Sequence, residues 1–141
     1  MKIAIASDHA GYKLKNIIIN KFQDLFSFTD FGCDNDKDSI DYPDISKKLC
    51  SKYLSDNFDF GILICGSGIG VCISANKVKN IRAALCHNEE TAKLSRQHNN
   101  ANILCLGARI TNEETAIQIV KSFLESKFLA GRHLSRIEKI E

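Results

Sequence analysis

Cys65 heads the run Cys65-Gly66-Ser67-Gly68-Ile69-Gly70, in which glycine follows the thiol at every second position. Glycines let the backbone take φ > 0 and approach a ligand closely. Such a loop can aim several N–H groups at one anionic oxygen, and a thiol beside it is a candidate catalytic group. Known phosphate loops do not fit. No Gly-Lys-Ser/Thr follows, so this is not a Walker A motif, and the spacing is not the dinucleotide G-x-G-x-x-G. The Cys-x5-Arg pattern of cysteine phosphatases fails because Val71 stands at the arginine position.

Other residues could serve the same chemistry. His98, in Arg96-Gln97-His98-Asn99-Asn100, reads equally as a partner for a helix C-terminus and as an acid/base near neutral pH. Asp8-His9 is either a capping pair or a carboxylate and imidazole that grip hydroxyls. Arg132, His133 and Arg136 make a basic cluster. It is either a solvated tail or, with arginines four apart on one helix face, a phosphate grip.

These groups need elements to position them. Five apolar runs predict strands: Lys2–Ser7, Phe26–Phe31, Phe60–Ile64, Ile81–Leu85 and Asn102–Leu106. The first helix is predicted over Tyr12–Leu25, with Leu14, Ile18, Phe22 and Leu25 on one face. A second starts near Pro43 behind Asp41, and a third runs from the glycine loop to about Lys77. The fourth, Asn88–Gln97, has an Asn cap followed by two glutamates. The fifth begins at Thr111, with Glu114 completing a capping box, and continues to about Lys127. Strands alternating with helices predict a single α/β domain over 1–141, with a parallel sheet covered on both faces and a C-terminal helix or arm from about 131. Ligands of such sheets bind beyond the strands' carboxyl ends. Asp8, Asp41-Tyr42-Pro43, Cys65, His87 and Arg109 all follow predicted strands.

Composition narrows the function. The chain has 141 residues, 44% hydrophobic and 26% charged, with a net charge of +2. That balance argues against nucleic acid or a membrane surface as partner. No apolar run approaches a membrane span or a signal-peptide core, so the expected compartment is the cytoplasm. Six cysteines, at 33, 50, 65, 72, 86 and 105, form no C-x-x-C pair. They predict neither disulfides nor a metal site.

The chain resembles the type B ribose-5-phosphate isomerases, of the sugar-phosphate isomerase family shared with galactose-6-phosphate isomerase. The likeness spans the chain. It rests on Ser7-Asp8-His9-Ala10-Gly11, Asp41-Tyr42-Pro43, Gly61 to Gly70, Ala75-Asn76-Lys77, Ile81-Arg82-Ala83, Leu94 to Asn99, Gly107-Ala108-Arg109 and Gly131-Arg132-His133. It implies a Rossmann-like three-layer α/β/α sandwich with a five-stranded parallel sheet. It further implies a homodimer or dimer of dimers with shared active sites. The implied reaction is cofactor-free and metal-free aldose–ketose isomerisation of ribose 5-phosphate and ribulose 5-phosphate, through a cis-enediolate.

The resemblance also assigns roles. Cys65 matches the catalytic base, His98 the group that opens the furanose ring, and Ser67 a catalytic hydroxyl, often Thr. Some members use a Glu base four residues after this position, where Ile69 stands here. Gly66, Gly68, Ile69 and Gly70 form the loop around the reacting oxygens. Asp8 and Asn99 match sugar-hydroxyl contacts, and Tyr42 lies against the substrate. His9, Arg109, Arg132, His133 and Arg136 match the phosphate end. Alternatives are isomerisation of allose or galactose 6-phosphate, a non-catalytic sugar-phosphate sensor, and a thiol redox protein. The last lacks a close resolving cysteine, since Cys72 is seven residues away.

Overall fold

The computed structural model describes residues 1–141. Five strands alternate with helices: β1 (Lys2–Ser7), α1 (Tyr12–Phe22), β2 (Ser27–Asp30), α2 (Tyr42–Ser55), β3 (Phe60–Cys65), α3 (Ile69–Ala75), β4 (Ala83–Leu85), α4 (Glu89–Asn99), β5 (Ile103–Gly107) and α5 (Glu113–Glu125). A short α6 (Leu134–Ile137) closes the chain. All pairings are parallel, in the order β2-β1-β3-β5-β4. The predicted three-layer α/β/α sandwich is therefore the observed fold.

The central strands are buried on both faces, so they read as continuous apolar runs. Their period of two divides the core. Ile3, Ile5, Ile62, Ile64, Leu104 and Leu106 face α1, α4 and α5. Ala4, Ala6, Leu63, Cys65, Ile103 and Cys105 face α2 and α3. Each fully buried Ile or Leu contributes roughly 1.5–3 kcal/mol, so these faces dominate the stability.

The boundaries differ from the sequence reading in a few places. α1 ends at Phe22, and Leu25 lies beyond it, 70% exposed. The predicted capping box at Thr111 and Glu114 does not form. Asn112 caps α5 instead, accepting from the Thr115 N–H at 2.9 Å, while the Thr111 N–H is taken by the Gly107 carbonyl. β4 is only three residues long. α3 stops at Ala75 because the Asn76 side chain bonds the Cys72 carbonyl and both backbone groups of Ala83. Lys15 is wholly buried, its ammonium 2.7 Å from Asp30 and bonded to the Cys33 carbonyl. That cation ties α1 to β2 and to the loop after it.

Three core thiols carry a pH signature. Burial pushes Cys50 up to about 12 and Cys86 up to about 11, and raises Cys105 as well. The unfolded chain releases these protons near pH 9, while the folded chain keeps them. The contribution of these three thiols is therefore complete below pH 9 and falls as pH rises above it, with a slope approaching roughly 1.4 kcal/mol per pH unit for each thiol. Urea unfolding between pH 8 and 10.5 should show that decline, with a shallower slope in Cys50→Ala. A flat profile would contradict it.

Candidate active site

Register decides where the loops meet. Cys65 at the end of β3 pairs with Gly107 at the end of β5. The loop after β3 then folds across β5. The Cys65 carbonyl accepts from the Ala108 N–H and the Gly66 carbonyl from the Arg109 N–H, both at 2.9 Å. The approach is so close that a Cβ on Gly107 would lie 2.4 Å from the Ser67 carbonyl oxygen. Gly68 is in the left-handed region, with φ of 77°, directly before α3.

This packing gives the thiol a fixed setting. Cys65 is buried, and the Gly68 N–H points at its sulfur from 3.1 Å. Ser67 Oγ accepts from the Ile69 N–H at 3.2 Å, which orients the hydroxyl. Thiol and hydroxyl open into a cleft of about 500 Å³ lined by Asp8, Tyr42, Gly66, Ile69, Gly70 and Arg109, with Ile73 and Ile110 at its rim. Asp8 is buried and caps the turn after β1, accepting from Gly11 N–H at 3.1 Å. Tyr42 packs against Gly70, where a Cβ would lie 2.5 Å from its ring. The Arg109 guanidinium lies over Gly66. Next to Asp8, His9 Nδ1 accepts from the Ile40 N–H at 3.3 Å, so a neutral imidazole carries its proton on Nε2.

Asp8, Tyr42, Cys65, Gly66, Ser67, Ile69, Gly70 and Arg109 are thus brought together, with Gly68 beneath and His9 adjacent. His98, Asn99, Arg132, His133 and Arg136 do not line this cleft. α4 runs back between two parallel strands, so its C-terminal residues His98 and Asn99 lie at the strands' amino ends. The C-terminal arm joins them there. The Leu129 N–H bonds the Gln97 carbonyl, and His133 stacks on His98 with ring centroids 4.3 Å apart. Desolvation, then His98, Arg132 and Arg136, hold His133 below the ordinary histidine range. Of the other cysteines, Cys72 is the one not buried in the core. It is half-buried, donates to the Ala83 carbonyl, and is drawn down to about 7, chiefly by the Cys105 thiol. Ile73 and Ile110 were not singled out in sequence. Their signal is exposed apolar side chains, 59% and 64%, beside a polar cleft.

The comparisons with known proteins agree with this fold. A family model described as Ribose/Galactose Isomerase matches residues 3–140. The ribose-5-phosphate isomerase B of Clostridium thermocellum superposes with a TM-score of 0.96 at 45% identity, covering 99% of this chain and 95% of that one. The Thermotoga maritima ribose 5-phosphate isomerase gives 0.95 at 48% identity, with 99% and 96% covered. The Mycoplasma genitalium ribose-5-phosphate isomerase B, solved with bound ribulose 5-phosphate, gives 0.93 at 46% identity, with 99% and 93% covered.

The glycine loop makes a direct prediction. In Gly68→Ala the new Cβ would sit 2.7 Å from the Leu106 carbonyl carbon and 2.8 Å from the Gly107 nitrogen, at a positive φ. Stability should fall by about 2 kcal/mol or more in urea unfolding. Gly131 also has positive φ but faces open space, so Gly131→Ala should cost about 1 kcal/mol. Equal losses would contradict the close packing.

Proposed function

This chain belongs to the ribose/galactose isomerase family, and on that premise we propose that it interconverts ribose 5-phosphate and ribulose 5-phosphate with Cys65 as the base. The observation that carries the assignment is the cleft itself. Among its lining residues only Asp8, Tyr42, Cys65 and Arg109 titrate. Asp8 is engaged in its turn, the Tyr42 ring is packed against Gly70, and the arginine cannot act as a base. Ile69 removes the alternative carboxylate base that some family members place there.

Moving a proton between C1 and C2 needs a base that reaches both carbons and donors for the oxygens that gain charge. Cys65 takes the proton from C2 of the open-chain aldose, the enediolate forms, and the same sulfur returns the proton to C1. The Gly68 N–H on the sulfur is a stronger partner when the sulfur is charged. The backbone N–H groups of the 66–70 loop that are not engaged by the Cys65 sulfur or the Ser67 hydroxyl hold the enediolate oxygens, each such donor contributing about 3 kcal/mol to the transition state. Ser67 passes the hydroxyl proton between O1 and O2. The phosphate takes no part in the chemistry, and its binding to arginines orients the reacting end.

The second half of the site comes from a partner subunit in this reading. His98, Asn99, Arg132, His133 and Arg136 sit at the end of the molecule opposite Cys65. Two apolar surfaces support a two-fold pairing. Tyr42, Ile69, Ile73 and Ile110 stand 42–64% exposed around the cleft, and Leu129, Leu134 and Ile140 stand 47–62% exposed toward the C-terminal end. A two-fold axis that seats one surface on the other buries both twice and carries His98 to the partner's Cys65. There His98 opens the furanose ring, and Arg132 and Arg136 hold the phosphate with Arg109.

Purified protein, treated with chelator, should isomerise ribose 5-phosphate faster than allose or galactose 6-phosphate. A preference for a six-carbon sugar would overturn the substrate assignment. Cys65→Ala should lower kcat at least about 1,000-fold while leaving the affinity for a sugar-phosphate inhibitor within about threefold. Near-normal turnover in that variant would sink the base assignment.

A further inference from the structure

A second cleft, of about 530 Å³, opens at the strands' amino ends. Its lining includes Tyr53, Arg82, Arg96, Asn102 and Lys127, and none of its residues lines the cleft around Cys65. Arg96 dominates it. The side chain is only 8% exposed, yet it has no carboxylate partner, because the chain's ion pairs use Lys13, Lys15, Lys52 and Arg82. Its Nη1 donates to Asn100 Oδ1 at 2.8 Å and to the Ala101 carbonyl at 2.7 Å. Its Nε is buried with no acceptor. Its Nη2 bonds nothing in the chain and is not sealed off, so it remains a free donor. The guanidinium also lies over the Phe60 ring, 4.5 Å from its centroid.

A buried cation held only by neutral acceptors and an aromatic face is incompletely compensated. The charges around it are arranged for an anion. Lys127 is exposed and unpaired at the mouth. Arg82 lines the wall, where its Nη1 pairs with Glu141. Of the two carboxylates in the lining, Asp59 accepts from the Lys2 N–H at 2.7 Å, and Glu125 is exposed. Cations thus occupy the floor and mouth, while the acids are engaged or solvated. The planar guanidinium matches a tetrahedral oxyanion, and a dianion answers both Arg96 and Lys127 where a carboxylate answers one. The volume matches that of the Cys65 cleft.

We propose that this cleft binds a small phosphomonoester, with Arg96 at its floor and Lys127 at its mouth, as a site separate from the Cys65 cleft. The inference stands whether or not the proposed reaction is correct. The test is a titration of 15N-labelled protein with inorganic phosphate at constant ionic strength, following backbone amides. Saturable shifts at Asn100, Asn102 and Lys127 are expected, on a curve separable from that of Gly66–Gly70. Lys127→Glu, a surface change that spares the fold, should weaken that curve about tenfold. Arg96→Met should abolish it if the variant folds. Absence of saturable shifts at those amides, or an unchanged curve in Lys127→Glu, would overturn the proposal.

Discussion

The close approach of the 66–68 loop to the end of β5 is the constraint on which the site depends. Two backbone hydrogen bonds, from Ala108 to Cys65 and from Arg109 to Gly66, stitch the strand ends together. They form only because Gly68 and Gly107 carry no Cβ where one would overlap backbone. With that seam closed, the Gly68 N–H has one place to point, which is the Cys65 sulfur. Ser67 is turned outward, and α3 starts in the direction that sets Ile69 and Ile73 on the rim. A seam opened by a fraction of an ångström would move thiol, hydroxyl and arginine together, so the preorganisation that catalysis needs is a packing property.

The parallel sheet imposes the second feature. Every strand points the same way, so residues after strands and residues at the ends of returning helices occupy opposite poles. Asp8, Tyr42, Cys65 and Arg109 follow strands or open helices at one pole, while His98, Asn99 and the 131–137 arm lie at the other. On the proposed reading, one chain therefore carries two half-sites that it cannot join. The exposed apolar side chains beside each half are what a monomer would be expected to hide. The proposed two-fold assembly would account for both facts.

Much of this was legible in the chain. The apolar runs of β1, β3 and β5 announce strands buried on both faces, and Asn88 before Glu89-Glu90 marks the start of α4, where it caps as expected. The cleft residues could be named because the positions after strand ends are where ligands bind. Other features were hidden for physical reasons. Asn112 won the cap of α5 because the local turn that follows β5 had already claimed the Thr111 N–H for the Gly107 carbonyl. Lys15 and Arg96 look like surface charges on helices. Their burial depends on Asp30, Cys33, Phe60 and Ala101, which are distant in sequence or unmarked. The separation of His98 from Cys65 follows from strand direction, which a list of motifs in order does not contain.

The central claim is that Cys65 of one subunit works with His98 of the other, and subunit mixing tests it most directly. Cys65→Ala and His98→Asn proteins, each inactive on the furanose form of ribose 5-phosphate, are mixed in equal amounts and allowed to exchange subunits. Random pairing makes half the dimers mixed, each with one intact site of two, so activity should return to about a quarter of the wild-type value. If activity stays at the sum of the two separate variants after exchange is demonstrated, the two residues do not act across the interface, and the account is wrong.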